Sequence, residues 1–146
     1  MADKDTRVAE FIKLPSPEAG LSVICERTRR AYEAGLTVAV RVRGSQEAEQ
    51  LDKMLWTFKE SAFIPHVLSA EAQEPAMEPV IIYCEGQAPA EADVLIHAAG
   101  GEPGDWFAPF ARVIDFAEVH DEASREASRR RYTAYKDAGY RMRYVQ

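Results

Sequence analysis

The sequence predicts an α/β fold of three layers, a single domain over residues 1–146 built on a mostly parallel central sheet. Three observations predict it. Short β-branched runs alternate with longer stretches of helical spacing, and the connections between them are tight. The runs Val80-Ile81-Ile82-Tyr83 and Val94-Leu95-Ile96-His97 are too apolar to leave one face wet, as expected of interior strands. At 146 residues the chain is long enough to bury one substantial core and too short for a comfortable second domain.

Each element has its own justification. Val8–Leu14 reads as the first strand. Pro15-Ser16-Pro17-Glu18 then offers Ser16 as an N-cap and Pro17 at the first helical position. Leu21, Ile24, Cys25, Thr28, Ala31 and Tyr32 recur at helical spacing until Gly35 stops the run. Leu36–Val42, short and β-branched, is the second strand, and Gly44-Ser45 opens a second helix with an apolar stripe of Ala48, Leu51, Leu55 and Phe58. Such a βαβα unit favours a right-handed crossover and parallel pairing. His66–Leu68 follows as a short strand and Ser69–Glu78 as a polar loop. After the two interior runs come a glycine-rich turn at 100–104, a short helix at Trp106–Phe110, a strand at Val113-Ile114-Asp115-Phe116 and a long helix from Glu122 to Ala138. Residues 1–6 are expected to be disordered, and 140–146 to form an extended tail lying on the body, where Tyr140, Met142 and Tyr144 alternate.

Composition and motifs exclude several function classes. No apolar run approaches the eighteen or so residues of a membrane span, and the charged start lacks a signal-peptide core, so a cytoplasmic protein is expected. Cys25 and Cys84 each close an apolar run, far apart, which favours buried thiols over a disulfide framework. From Arg125 onward seven basic residues face Glu126 and Asp137, a local charge of +5 that leaves the remaining chain at −11. An acidic body of that size argues against general nucleic-acid binding, while a local basic patch suits a short acidic peptide. The first strand-to-helix turn lacks GxGxxG and GxxxxGK[ST], and its prolines remove amide donors that a phosphate cradle needs. His66, His97 and His120 sit in no metal-ligand spacing, and His97 at the end of an apolar strand reads as a hydrogen-bonded core or rim histidine. No catalytic constellation, cofactor or metal site is expected.

Two surfaces remain distinctive. Trp56 projects roughly 120° from the centre of its helix's apolar stripe, so the indole is available either to a covering loop or to a partner. On the last helix Arg125, Arg129, Tyr132 and Lys136 share one face, whereas Ala123, Ala127, Ala134 and Ala138 share another whose small side chains let the helix approach the sheet. Arg130 and Arg131 read as solvated.

The order Leu51-Asp52…Leu55-Trp56, Phe63…Pro65-His66, Val113-Ile114-Asp115-Phe116 and Arg129…Arg131-Tyr132…Tyr135…Ala138-Gly139-Tyr140, in a chain of this length, resembles the chi subunit family of bacterial DNA polymerase III, an accessory protein of the clamp-loader complex. The resemblance covers nearly the whole chain. It implies a Rossmann-like fold without catalytic activity of its own and two protein-binding faces, on a monomer or a heterodimer that meets DNA only indirectly. One face, matched here by Trp56, Phe63 and Pro65, binds the psi subunit, for which a repair helicase competes. The other, matched by Arg129 with Arg125, Tyr132 and Lys136 around it, binds the acidic C-terminal tail of the single-stranded DNA-binding protein. Two positions depart from the family pattern. Thr133 stands where a lysine would extend the basic rim, and Ala117 where a larger aliphatic residue would wall the pocket, so a shallower tail site is expected; Arg141 and Arg143 are expected to add long-range attraction. The rival reading is a small nucleotide-binding enzyme on a doubly wound α/β fold, with its site at the carboxyl ends of the strands. A third is a chi-like scaffold that has lost one of its partners.

Overall fold

The computed structural model describes residues 7–14, 20–57, 64–72 and 77–145. Among the described residues there are seven strands, β1 (Val8–Leu14), β2 (Val38–Val42), β3 (His66–Leu68), β4 (Val80–Cys84), β5 (Val94–His97), β6 (Arg112–Glu118) and β7 (Arg141–Val145); the helices α1 (Gly20–Glu33) and α2 (Ser45–Thr57) follow β1 and β2, and α3 (Glu122–Asp137) joins β6 to β7. The strands form one sheet in the order β3-β4-β2-β5-β6-β1-β7. Every pairing is parallel, so the sheet is parallel throughout where the sequence suggested mostly so.

The period-two alternation of strand side chains divides the core between two faces. Ile12, Val40, Ile82 and Ile96 point to the side covered by α1 and α2, where Ile24, Cys25, Leu51 and Leu55 meet them. Phe11, Ala39, Leu95 and Val113 point to the other side, under α3 and the aromatic rings of Phe107, Phe110, Tyr135 and Tyr140. The three layers follow from this double burial. Each large side chain removed from water on either face stabilises the fold by about 1.5–3 kcal/mol before entropy is counted.

Two glycines end helices. Gly35 (φ 83°) and Gly139 (φ 94°) lie in the left-handed region, and each closes a pair of hydrogen bonds back into its helix. After α1 these are Gly35 N–H to the Tyr32 carbonyl and Leu36 N–H to Ala31, which is why β2 begins at Val38 and not at Leu36. After α3 they are Gly139 N–H to Lys136 and Tyr140 N–H to Tyr135.

The structure corrects the sequence reading in several places. The extended tail expected to lie on the body is a strand of the sheet itself, β7, at its edge and in register with β1 from Val8↔Arg141 to Ile12↔Val145. Residues Trp106–Phe110 form hydrogen-bonded turns, Ala108 N–H to Asp105 and Phe110 N–H to Phe107, and not a helix. Pro109 has no amide with which to continue a ladder, and Phe107 and Phe110 are both drawn under α3. The inner face of α3 is Ala127, Ser128, Arg131 and Tyr135; Ala134 is only partly covered, and Ala123 and Ala138 are exposed. Arg131, read as solvated, is buried because Asp115 on β6 points into the same layer and requires a cation. Cys25 is buried and Cys84 half-buried, both as free thiols. The expected cap of α1 at Ser16 and Pro17, the stripe residue Phe58 and the first six residues lie outside the described residues.

Candidate functional site

A buried polar cluster fixes α3 on the sheet. Arg131 Nε donates to Asp115 Oδ2 at 2.9 Å, its Nη1 to the Gly101 carbonyl at 2.7 Å and its Nη2 to the Phe116 carbonyl at 3.2 Å. Tyr135 Oη donates to the same Asp115 oxygen at 2.7 Å. Burial alone would lower the Arg131 guanidinium, but the adjoining Asp115 carboxylate more than offsets it, so its pKa is raised. The Tyr135 hydroxyl is held well above its ordinary value, first by burial and then by Asp115. With Arg131 and Tyr135 pinned inward, Arg125, Arg129, Tyr132 and Thr133 face out.

Those outward residues make a groove. Arg125, Arg129, Tyr132 and Thr133 of α3, with the inward Ser128 at its base, line it with Phe11 of β1, Ala117 and Glu118 of β6, Val119, and Tyr144 of β7, enclosing about 570 Å3. Phe11 forms the floor, with its ring centroid 5.4 Å from that of Tyr132. Tyr144 is 52% exposed and Tyr132 36% exposed, so apolar surface faces the solvent at the wall of the groove. Arg125 Nη2 donates to the Val119 carbonyl at 3.1 Å, and among the described residues no carboxylate pairs with Arg125 or Arg129. Glu118 is already engaged by Arg43 at 2.8 Å. An apolar slot bordered by guanidiniums that no described carboxylate neutralises suits a peptide that ends in an apolar side chain and a carboxylate.

Of the expected residues, Arg125, Arg129 and Tyr132 thus meet in one groove, and Lys136 is exposed on α3 but does not line it. Both departing positions, Ala117 and Thr133, do line it. Arg141 and Arg143 face the opposite side of the sheet, because on β7 they alternate with Tyr144. Sequence reasoning missed Phe11 and Tyr144 as groove residues. The alternation of Tyr140, Met142 and Tyr144 was the available signal, and it needed β7 to be placed beside β1.

The second surface lies at the far edge of the sheet. Trp56, near the end of α2, is 52% exposed, with its ring centroid 4.8 Å from that of His66. His66 Nδ1 donates to the Ile64 carbonyl at 2.7 Å, and its Nε2 lies 2.9 Å from Asp52 Oδ1. The imidazole thereby ties α2 to β3 and supports the indole from one side. Pro65 is half-buried beside it, and Phe63 lies outside the described residues. The sequence signal for Asp52 and His66 is their place in the Leu51-Asp52 and Pro65-His66 pairs.

A third concavity, at the carboxyl ends of the strands, is lined by Leu14, Gly20, Arg43, Ala98, Glu118 and His120 among others. It encloses about 200 Å3, below the range of pockets that hold small molecules, and the Arg43–Glu118 ion pair borders it. His97, nearby, is a fully buried core histidine whose Nε2 donates to the Gly100 carbonyl at 3.0 Å, and burial pushes its pKa down to about 4. Among the described residues no group of three or more histidine, cysteine or acidic side chains is arranged to hold a metal. No described helix is long and apolar enough to cross a membrane.

The chain is 13% identical, with a TM-score of 0.68 over 98% of its length and 92% of the other chain, to the C-terminal domain of the DEAD-box protein Dbp5, a likeness of fold alone. It is 35% identical over 138 residues, 92% of either chain, to the DNA polymerase III subunit chi of Pseudomonas aeruginosa. With the subunit chi of Escherichia coli it shares 25% over 120 residues, 82% of this chain and 80% of that one. The family model described as DNA polymerase III chi subunit, HolC, matches residues 7–143, and the chain belongs to that family.

Proposed function

We propose that this member of the chi family is a non-catalytic adaptor of the replicative polymerase, joining the psi subunit of the clamp loader, or a repair helicase in its place, to the acidic C-terminal tail of the single-stranded DNA-binding protein. The observation that carries the reading is the α3 groove, where Arg125 and Arg129 border an aromatic slot without a carboxylate partner among the described residues. Guanidiniums without a described carboxylate partner, around Phe11, Tyr132 and Tyr144, supply what an acidic tail with an apolar end requires: a fork for the terminal carboxylate, a slot for the side chain, and positive charge around both. On this reading Trp56 and Pro65, with Phe63 beside them in the sequence, form the psi face, where a large rigid ring anchors a desolvated patch.

The test is titration of a labelled peptide copy of the last ten or so residues of the cognate single-stranded DNA-binding protein, at low and high salt. Wild type binds, more weakly at high salt, and Arg129→Ala loses about 1.5–3 kcal/mol, the range of a charge-assisted hydrogen bond. Absence of binding to wild type at low salt would sink the tail assignment. Against the nucleotide-enzyme reading, a thermal-shift series with nucleotides is expected to show no stabilisation, whereas a ligand at a hundredfold excess over its Kd would add about 2.7 kcal/mol.

A further inference from the structure

Five of the thirteen arginines pair with carboxylates among the described residues. Arg29 pairs with Glu26 and Glu33, Arg43 with Glu118, Arg130 with Glu102, Arg131 with Asp115, and Arg27 with Glu10. Arg30, Arg112, Arg141 and Arg143 are exposed, and among the described residues no carboxylate pairs with any of them. Scarcity of partners is not the reason, since the chain carries 24 acidic residues against 18 basic ones.

These four arginines line a single groove of about 540 Å3 on the α1 side of the sheet, together with Arg27 and Glu10. The topology gathers them: Arg112 and Arg141 are the first residues of β6 and β7 and stand in register on either side of Val8, while Arg27 and Arg30 are one turn apart on α1. Five guanidiniums against one carboxylate give the groove an excess of four positive charges, in a chain whose net charge is −6. Their mutual field is felt at Arg27, whose pKa is lowered first by burial and then by Arg30 and Arg143. Such crowding of like charge costs stability unless an anion relieves it.

We propose that this groove holds the sugar-phosphate backbone of single-stranded DNA, taking phosphates and not bases. Arginine forks match phosphate oxygens. The cations are strung along the groove: Arg141 and Arg143 are about 7 Å apart along their strand, and β6 lies about 10 Å from β7 across β1, a row suited to successive phosphates and not to one carboxylate. Among the described residues no aromatic ring lines the groove, so they offer no stacking platform for bases and none of the aromatic anchors that a docked peptide meets in the α3 groove. A duplex is disfavoured, because the rest of the chain is strongly acidic and would meet the second strand within a Debye length of about 8 Å. Because the two grooves are on opposite faces of the sheet, this contact goes beyond the adaptor reading and stands or falls apart from it.

The experiment is fluorescence anisotropy of a labelled oligothymidylate of about twenty nucleotides between about 50 and 200 mM salt, with the full chain. Wild type is expected to bind at the low end, with log K falling against log salt at a slope of about −3, as for four phosphate contacts. Arg112→Gln with Arg143→Gln should lose about tenfold or more in affinity at low salt and flatten the slope by about 1.4. Arg30→Gln with Arg141→Gln, on the other two exposed arginines, should repeat the loss, and Arg129→Ala should leave binding unchanged. Absence of binding by wild type at low salt, or undiminished binding by both double variants, overturns the proposal. Tighter binding of a labelled glutamate-rich peptide than of oligothymidylate, lost in the same variants, also overturns it, in favour of an acidic protein partner.

Discussion

Single residues do unequal work in this fold. His97 is fully buried and neutral: its Nε2 donates to the Gly100 carbonyl, and burial pushes its pKa from 6.5 down to about 4. Because the folded pKa is the lower, the unfolded chain binds the extra proton first as pH falls. The stability that His97 contributes is therefore complete above pH about 6.5 and lost progressively down to about 4, on the order of 3 kcal/mol in all. His97→Gln keeps an N–H donor and removes the titration, so the difference in unfolding free energy between wild type and variant, measured by urea at several pH values, should narrow across that window. A difference independent of pH would show that His97 does not titrate on unfolding. The Trp56 indole shows another kind of residue effect, since half its surface faces solvent although His66, tied to Asp52, supports it from one side.

At the scale of elements, α3 depends on one ion pair. Asp115→Asn removes the charge that compensates Arg131 while keeping the shape, leaving a guanidinium that is 1% exposed without its partner. The expected cost is about 3–5 kcal/mol in urea unfolding, the range for breaking one half of a buried pair. A loss below about 1 kcal/mol would mean that α3 is held by its apolar contacts alone. This pair was not legible in the sequence. An arginine within the run Arg129-Arg130-Arg131 looks solvated, and only the pairing of β6 beneath α3 shows that Asp115 awaits it. Edge strand β7 is legible only as an extended segment lying on the body, because its alternation of arginines with Met142 and Tyr144 does not name a neighbour, and its partner β1 is more than a hundred residues away. Elements whose own period carries the signal were read well. Val8–Leu14 was placed to the residue, as were Val94–His97 and His66–Leu68, and the last helix to within one. Of the candidate site, the helix half was legible from spacing, whereas Phe11 and Tyr144 required the sheet order.

Across the whole molecule, the two candidate protein-binding faces are separated as a bridge requires. Trp56 lies beside β3 at one edge of the sheet and the α3 groove over β1 and β7 at the other, with β3 and β1 five strand spacings apart, about 24 Å. They also lie on different faces, with α2 on one and α3 on the other. Substitutions this far apart with no shared contacts should act additively. Trp56→Ala is expected to weaken psi binding by 2 kcal/mol or more, roughly the threshold for an interface hot spot, and to leave tail-peptide binding unchanged. Arg129→Ala should do the reverse. Equal loss of both interactions in either variant, with the fold intact, would contradict two separate sites.

The most direct test of the adaptor is titration of the labelled tail peptide into the preformed complex of this chain with psi. The account predicts one peptide bound per complex, with a Kd within about twofold of that for the chain alone, since two independent sites carry no coupling free energy. Displacement of psi by the peptide, or a complex that no longer binds it, would contradict the bridge.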